Sequence, residues 1–126
     1  MRNNIGDKAR LHHILDAISE IEKYTKQQSF NDFIYNTMLQ SACIRQLEII
    51  GESANNISVD LKSTSEDIEW GEIIGLRHIL IHDYFGVDLN IIWDIIQNDI
   101  VKLKIRILSL LDKIDNQLLN PNSAST

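Results

Sequence analysis

The stretch that decides the fold is DLNIIWDIIQNDIVKLKIRILSLLDKI, residues 88–114. Leu89, Ile92, Trp93, Ile96, Ile100, Leu103, Ile107, Leu110, Leu111 and Ile114 recur at threes and fours, which predicts one long helix with an apolar stripe, capped by Asp88. Ile91, Ile95, Val101, Ile105 and Leu108 form a second stripe on the same helix. A surface helix of a monomer needs one apolar face, so a second implies burial on two sides, either against another subunit or in the centre of its own bundle.

Working backwards from this helix, Asp7 to Lys26 reads as an amphipathic helix, with Leu11, Ile14, Leu15, Ile18 and Ile21 on its apolar face and Asp7 as N-cap. After a break at Gln27-Gln28-Ser29, Ser29 with Asp32 three residues on makes a capping box for a second helix. Phe33, Met38, Ala42, Ile49 and Ala54 carry its stripe. Arg45 sits within that stripe near Glu48 and Glu52, which reads as an internal ion pair at helical spacing. Residues 58–69 are polar and aperiodic, a loop. Trp70 opens a third helix running to about Asp83, and Phe85-Gly86-Val87 turns the chain into the last one. Four long helices joined by short connections predict an all-α antiparallel bundle over residues 1–118, with extra short turns and a frayed tail at 119–126.

Composition agrees with one globular domain. The 126 residues are 44% hydrophobic and 24% charged, enough for a real core. The lone proline, Pro121, interrupts no predicted helix, and five glycines are too few for a turn-rich β-sandwich. No membrane span or signal core is expected, and the single Cys43 suits a cytoplasmic chain. Twelve basic against eighteen acidic residues give a net charge of −6. Such a chain repels nucleic acid at long range, so it is no coat protein; it can act on RNA only where positive charge gathers at a cleft. Lys102, Lys104 and Arg106 are diluted by Asp94 and Asp99 and read as a solvated face.

Chemistry concentrates in Gly75-Leu76-Arg77-His78-Ile79-Leu80-Ile81-His82-Asp83-Tyr84-Phe85. Arg77 and Tyr84, seven residues apart, share a helix face, whereas His82 lies about 140° around from Arg77. One chain therefore does not aim both at a single spot; a twofold partner can bring two copies together across a cleft. Histidine titrates near neutrality and can serve as base or acid, and arginine stabilises a phosphorane, so two copies would supply what metal-free RNA cleavage needs. Taken singly, each residue also has a plain structural role: Arg77 in an ion pair with Glu72 or Asp83, His82 half-buried at a helix end, Tyr84 packed at the turn. His78 and His82 have the i, i+4 spacing of a zinc pair but lack a third ligand, so no metal or cofactor is expected.

Arg77-x4-His82-x-Tyr84 resembles the R-x4-H-x-Y motif of HEPN-domain ribonucleases of the HepT subgroup. Residues 44–52 (IRQLEIIGE) look like that family's second-helix signature, 70–77 (WGEIIGLR) like its approach to the motif, and 82–88 (HDYFGVD) like its exit. The resemblance runs from about Ala9 to Leu111. It lacks only a proline often found before the tryptophan and a methionine where Leu76 stands. It implies a HEPN bundle that homodimerises through helices, with two motifs in one cleft, and a metal-independent endoribonuclease acting as toxin of a HepT/MntA (type VII-like) module. It makes Arg77 and His82 catalytic. It makes Tyr84 the residue that the antitoxin MntA, a minimal nucleotidyltransferase, modifies with AMP from ATP. Asp83 and Arg45, which lie within the flanking signatures, are expected to support the site. Transfer RNA is a candidate substrate. The alternative from another class is a non-catalytic dimeric HEPN module that binds a nucleotide or its transferase partner.

Overall fold

The computed structural model describes residues 2–82 and 88–119, with side chains at 6–76, 80 and 88–117. Among the described residues seven α-helices follow one another: α1 (Arg2–Thr25), α2 (Phe30–Ile34), α3 (Thr37–Asn55), α4 (Val59–Ser63), α5 (Trp70–His82), α6 (Leu89–Asp94) and α7 (Ile100–Leu119). A π turn, Ile95–Asp99, joins α6 to α7. The predicted tail and the Phe85-Gly86-Val87 turn fall outside the described residues, apart from Leu119 at the end of α7.

Helix α1 buries Leu11, Ile14, Ile18 and Ile21 on the predicted face. It begins five residues before Asp7, so Asp7 is not its N-cap. Instead the Asp7 carboxylate, 2% exposed, accepts the backbone N–H of Ser58 (2.8 Å) and its hydroxyl (2.5 Å). Ser58 in turn caps α4, accepting from the N–H of Leu61. Residues 58–69 thus contain a short helix where the polar composition predicts a loop. Trp70 closes this corner by donating from Nε1 to the buried Ser65 hydroxyl (3.0 Å).

The Ser29–Asp32 capping box forms as predicted, but its helix lasts only five residues. Asn36 starts a new helix by accepting the N–H of Leu39, and the Gln40 amide satisfies the carbonyls of Phe33 and Ile34 at the old helix end. This break shifts the phase of the stripe. Leu39, Cys43, Leu47, Ile50 and Ala54 enter the core, while Met38, expected inside, is 82% exposed. Phe33 packs on Trp93 of α6, with ring centroids 5.1 Å apart.

The bundle is antiparallel, as contacts at opposite ends of α1 show. Lys8 pairs with Asp115 and Glu22 with Lys104, so α1 and α7 run in opposite directions. Tyr24 meets Gln46 while Asp7 meets Ser58, which fixes the same relation between α1 and α3. Helix α5 also packs against α3. One continuous core of mostly Leu and Ile side chains runs through the described helices, each worth about 1.5–3 kcal/mol when fully buried.

The first stripe of the last helix faces this core, from Ile92 to Ile114. Within its own chain the second stripe is not sunk in the bundle: Ile91, Val101, Ile105 and Leu108 are each about half exposed or more. Nor is it one surface. Across the π turn, Ile91 and Ile95 line one groove, whereas Val101, Ile105 and Leu108 line another, against α1.

Candidate functional site

Helix α5 carries Arg77, His78 and His82 in unbroken helical backbone, His82 being its last described residue. Five residues of helix separate Arg77 and His82 by about 7.5 Å along the axis and about 140° around it. The helix is continuous over these residues, so ideal helical geometry sets their positions on different sides of its axis, as the spacing implied. The side chains of Arg77, His78 and His82, and all of Asp83 and Tyr84, lie outside what the structure describes. Leu80, within the motif, is fully buried and anchors this end of α5 to the core.

Arg45 is on α3, the helix that packs against α5. Its guanidinium lies 3.5 Å from Glu48. The ion pair expected within the bundle thus forms, but on the surface, with the Arg45 side chain 64% exposed. The phase shift at Asn36 moves Arg45 out of the buried stripe. Among the described residues, no three His, Cys, Asp or Glu side chains are grouped to hold a metal ion.

A groove of about 390 Å³ opens beside the motif helix, between α3, α5 and the helix running through the π turn. Leu47, Ile50 and Leu103 contribute to its apolar lining, and Glu69, Glu72, Asp94 and Asp99 bring four carboxylates to it, with Lys102 and Arg106. A hydrogen bond with Glu69 and the repulsion of its charge push the Glu72 carboxyl above the usual range. Burial, then the negative charges of Asp94 and Glu69, push Asp99 upward against the opposing pull of Lys102. Sequence reading took Lys102, Lys104 and Arg106 as one solvated face. Lys104 instead turns to Glu22 on α1, while Lys102 and Arg106 line the groove. The groove itself was not foreseen, because its carboxylates come from residues thirty positions apart in the chain.

Residues 14–110 match the family model described as "Ribonuclease HepT-like", a span that includes α5 and the whole Arg77–His82–Tyr84 motif. The chain belongs to the HepT-like ribonuclease family. Its all-α HEPN bundle is the fold that the sequence resemblance implied. Two Methanocaldococcus jannaschii proteins whose names carry the words "putative RNase" are similar to it. One, also named a gamma-glutamylcyclotransferase, is 41% identical over 95% of this chain and 53% of its own length. The other is 42% identical over 77% of this chain and 89% of its own. A "probable ribonuclease HepT" of Thermococcus cleftensis is 43% identical over 77% and 88%. This HepT-like chain spans about half the length of the first of these relatives and most of the other two. No solved structure matches it. No described helix is long and apolar enough to cross a membrane.

Proposed function

We propose that this chain is a metal-independent endoribonuclease and the toxin of a HepT/MntA-type toxin–antitoxin module. The observation that carries the reading is the intact Arg77-x4-His82-x-Tyr84 motif at the end of α5, inside the span that matches the HepT-like family. Relatives named as ribonucleases support it.

The chemistry follows from the residue types. One histidine takes the proton of a ribose 2′-hydroxyl, whose oxygen attacks the adjacent phosphorus. The P–O5′ bond breaks, and a second, protonated histidine gives its proton to the departing 5′-oxygen. Arginine offsets the charge building on the phosphorane oxygens. A single chain offers one such His82 and one Arg77, at positions about 140° apart around an ideal helix, so the reaction uses a homodimer with two motifs in one cleft. The exposed Val101, Ile105 and Leu108 face supports pairing of two copies, because apolar side chains grouped on a surface favour association.

Control acts through Tyr84. A minimal nucleotidyltransferase partner directs the tyrosine oxygen at the α-phosphorus of ATP; the ester forms, pyrophosphate leaves and the phenolic proton is lost. The added phosphate competes with RNA for Arg77 and repels the substrate backbone. Asp83 and Arg45 support the site from its flanks, and transfer RNA is the candidate substrate.

The test is to incubate the purified chain with the partner and ATP, and map the product by peptide mass. The expected result is one or more adenylyl groups on Tyr84, loss of RNA cleavage, and relief of growth arrest in cells expressing both proteins. A Tyr84→Phe protein that is still silenced by partner and ATP would overturn this control scheme.

A further inference from the structure

The break at Asn36 turns two large side chains out to water. Tyr35, which closes α2, is 81% exposed, and Met38, in the first turn of α3, is 82% exposed. Arg45 follows Met38 by seven residues, which sets the two on one outward face of α3, about 20° apart and about 10 Å along the axis. The Arg45 side chain is 64% exposed, and the exposed hydroxyl of Ser41 stands between them. The surface thus runs from an aromatic ring through a thioether to a guanidinium.

The charge here differs from that of the rest of the chain. Residues 33–47 contain no Asp or Glu, the longest such run in a sequence of net charge −6. The carboxylates that bound the run are engaged: Asp32 accepts the N–H of Ser29 at 2.9 Å, and Glu48 lies 3.5 Å from Arg45. Arg45 carries five donors, so this one contact leaves others for a phosphate. Most of this acidic protein repels a phosphate backbone, but this run does not.

The backbone sets the strip beside the motif helix. Helix α3 ends at Asn55, and α5 starts in the same corner, where Lys62 reaches the Asn55 carbonyl and Trp70 bonds Ser65. Because α5 then packs along α3, it runs back toward the start of that helix. Leu47 and Ile50 meet the first part of α5, as far as Leu76, so the Met38–Arg45 half of α3 lies toward the part that ends at His82.

We infer that Tyr35, Met38 and Arg45 bind single-stranded RNA, with an unpaired base stacked on the Tyr35 ring against Met38 and a phosphate held by Arg45. The inference rests on the ribonuclease reading given above and adds the path of the strand, which follows the outer face of α3 toward the end of α5. Unpaired bases stack on aromatic rings whatever their identity, and an arginine alongside holds the backbone. A protein partner fits less well: a stable interface needs about 800 Å² a side around an apolar centre, and here two apolar side chains stand among Asn36, Thr37 and Ser41.

The experiment measures binding of the purified full-length chain to a fluorescent single-stranded RNA with 2′-O-methyl riboses, which lack the hydroxyl that cleavage needs. Fluorescence anisotropy over a series of salt concentrations is paired with cleavage kinetics on the unmodified RNA. Wild type is compared with Tyr35→Ala, Tyr35→Phe and Arg45→Gln, and with Val59→Ala and Lys23→Gln, which make similar changes at exposed positions elsewhere. Circular dichroism checks that each is folded, and light scattering gives its mass. Tyr35→Ala is expected to weaken binding about 10-fold and to raise KM with kcat kept, while Tyr35→Phe stays within about twofold of wild type. Arg45→Gln is expected to weaken binding about fivefold and to reduce the salt slope by about one, and the two remote variants to stay within about twofold. Wild type that binds RNA while Tyr35→Ala and Arg45→Gln both stay within twofold of it, or the remote variants weaken it equally, overturns the strip and leaves the ribonuclease reading standing. Wild type that neither binds nor cuts RNA overturns the ribonuclease reading beneath it. A Tyr35→Ala protein whose solution mass falls assigns the face to contact between copies and also overturns the proposal.

Discussion

Replacing Asp7 by alanine should destabilise this protein far more than its place in an amphipathic helix would suggest. Its carboxylate is buried and accepts both the N–H and the hydroxyl of Ser58, fifty-one residues away. Removing it orphans two donors, and hydrogen bonds to a charged group contribute about 1.5–3 kcal/mol each. Ser58 is only half-buried, so water replaces part of the loss, and about 3 kcal/mol is expected. For 126 residues each kcal/mol moves Tm by roughly 4 °C, giving a fall of about 12 °C. Ser58→Ala removes one of the two bonds and the cap of α4, for about 2 kcal/mol. Because the two residues share their contact, the double variant should be less unstable than the sum by at least about 1 kcal/mol. Thermal and urea unfolding of the four proteins measure this cycle. An Asp7→Ala protein melting within about 2 °C of wild type, or strictly additive variants, would refute the assignment of Asp7 as the tie between α1 and the α3–α4 corner.

Other consequences can be measured separately. Burial pushes the Cys43 thiol up to about 11, so thiolate is scarce at neutral pH; Ellman's reagent should leave the native protein unlabelled and react once it is unfolded, and fast native labelling would contradict the buried placement. Glu72 and Asp99 bind protons more tightly when folded, so their contribution to stability is present in acid and is lost as pH rises through their raised values. Glu72→Gln should therefore raise Tm at pH 7, with the advantage shrinking as pH falls toward about 4, where the carboxyl of either state is largely protonated; an equal Tm at both pH values contradicts the crowding. Ile105→Asp, at a position 64% exposed in the single chain, should weaken self-association by at least about 100-fold with little change in helix content, as light scattering would report; an unchanged mass would remove Val101, Ile105 and Leu108 from the dimer interface.

Sequence periodicity recovered what depends on local repeats. The core face of α1, the capping box at Ser29, the start of α5 at Trp70 and the cap at Asp88 all rest on spacing within a few residues. Tertiary partners were less legible. Asp7 looked like an N-cap because an acid before an apolar stripe usually is one; its true partner, Ser58, is distant in the chain. Met38 looked buried because nothing but Asn36 marks the break that shifts the helix phase. The second stripe of the last helix was visible, but not its division by the π turn, since one extra residue in a turn leaves no compositional trace. For the site, the motif residues were legible as chemistry and as a family signature, and α5 carries two of them in the predicted order. The acidic groove beside them was not, because its walls converge only in three dimensions.

The most direct test of the central claim is cleavage of total cellular RNA in EDTA, with purified wild type beside His82→Ala and Arg77→Ala. Intact mass first shows that Tyr84 carries no adenylyl group. The account predicts cleavage by unmodified wild type, leaving 2′,3′-cyclic phosphate ends, and loss of at least about 100-fold in rate in either variant. Cleavage that His82→Ala and Arg77→Ala both retain, or an unmodified wild type that cuts no RNA, would contradict it.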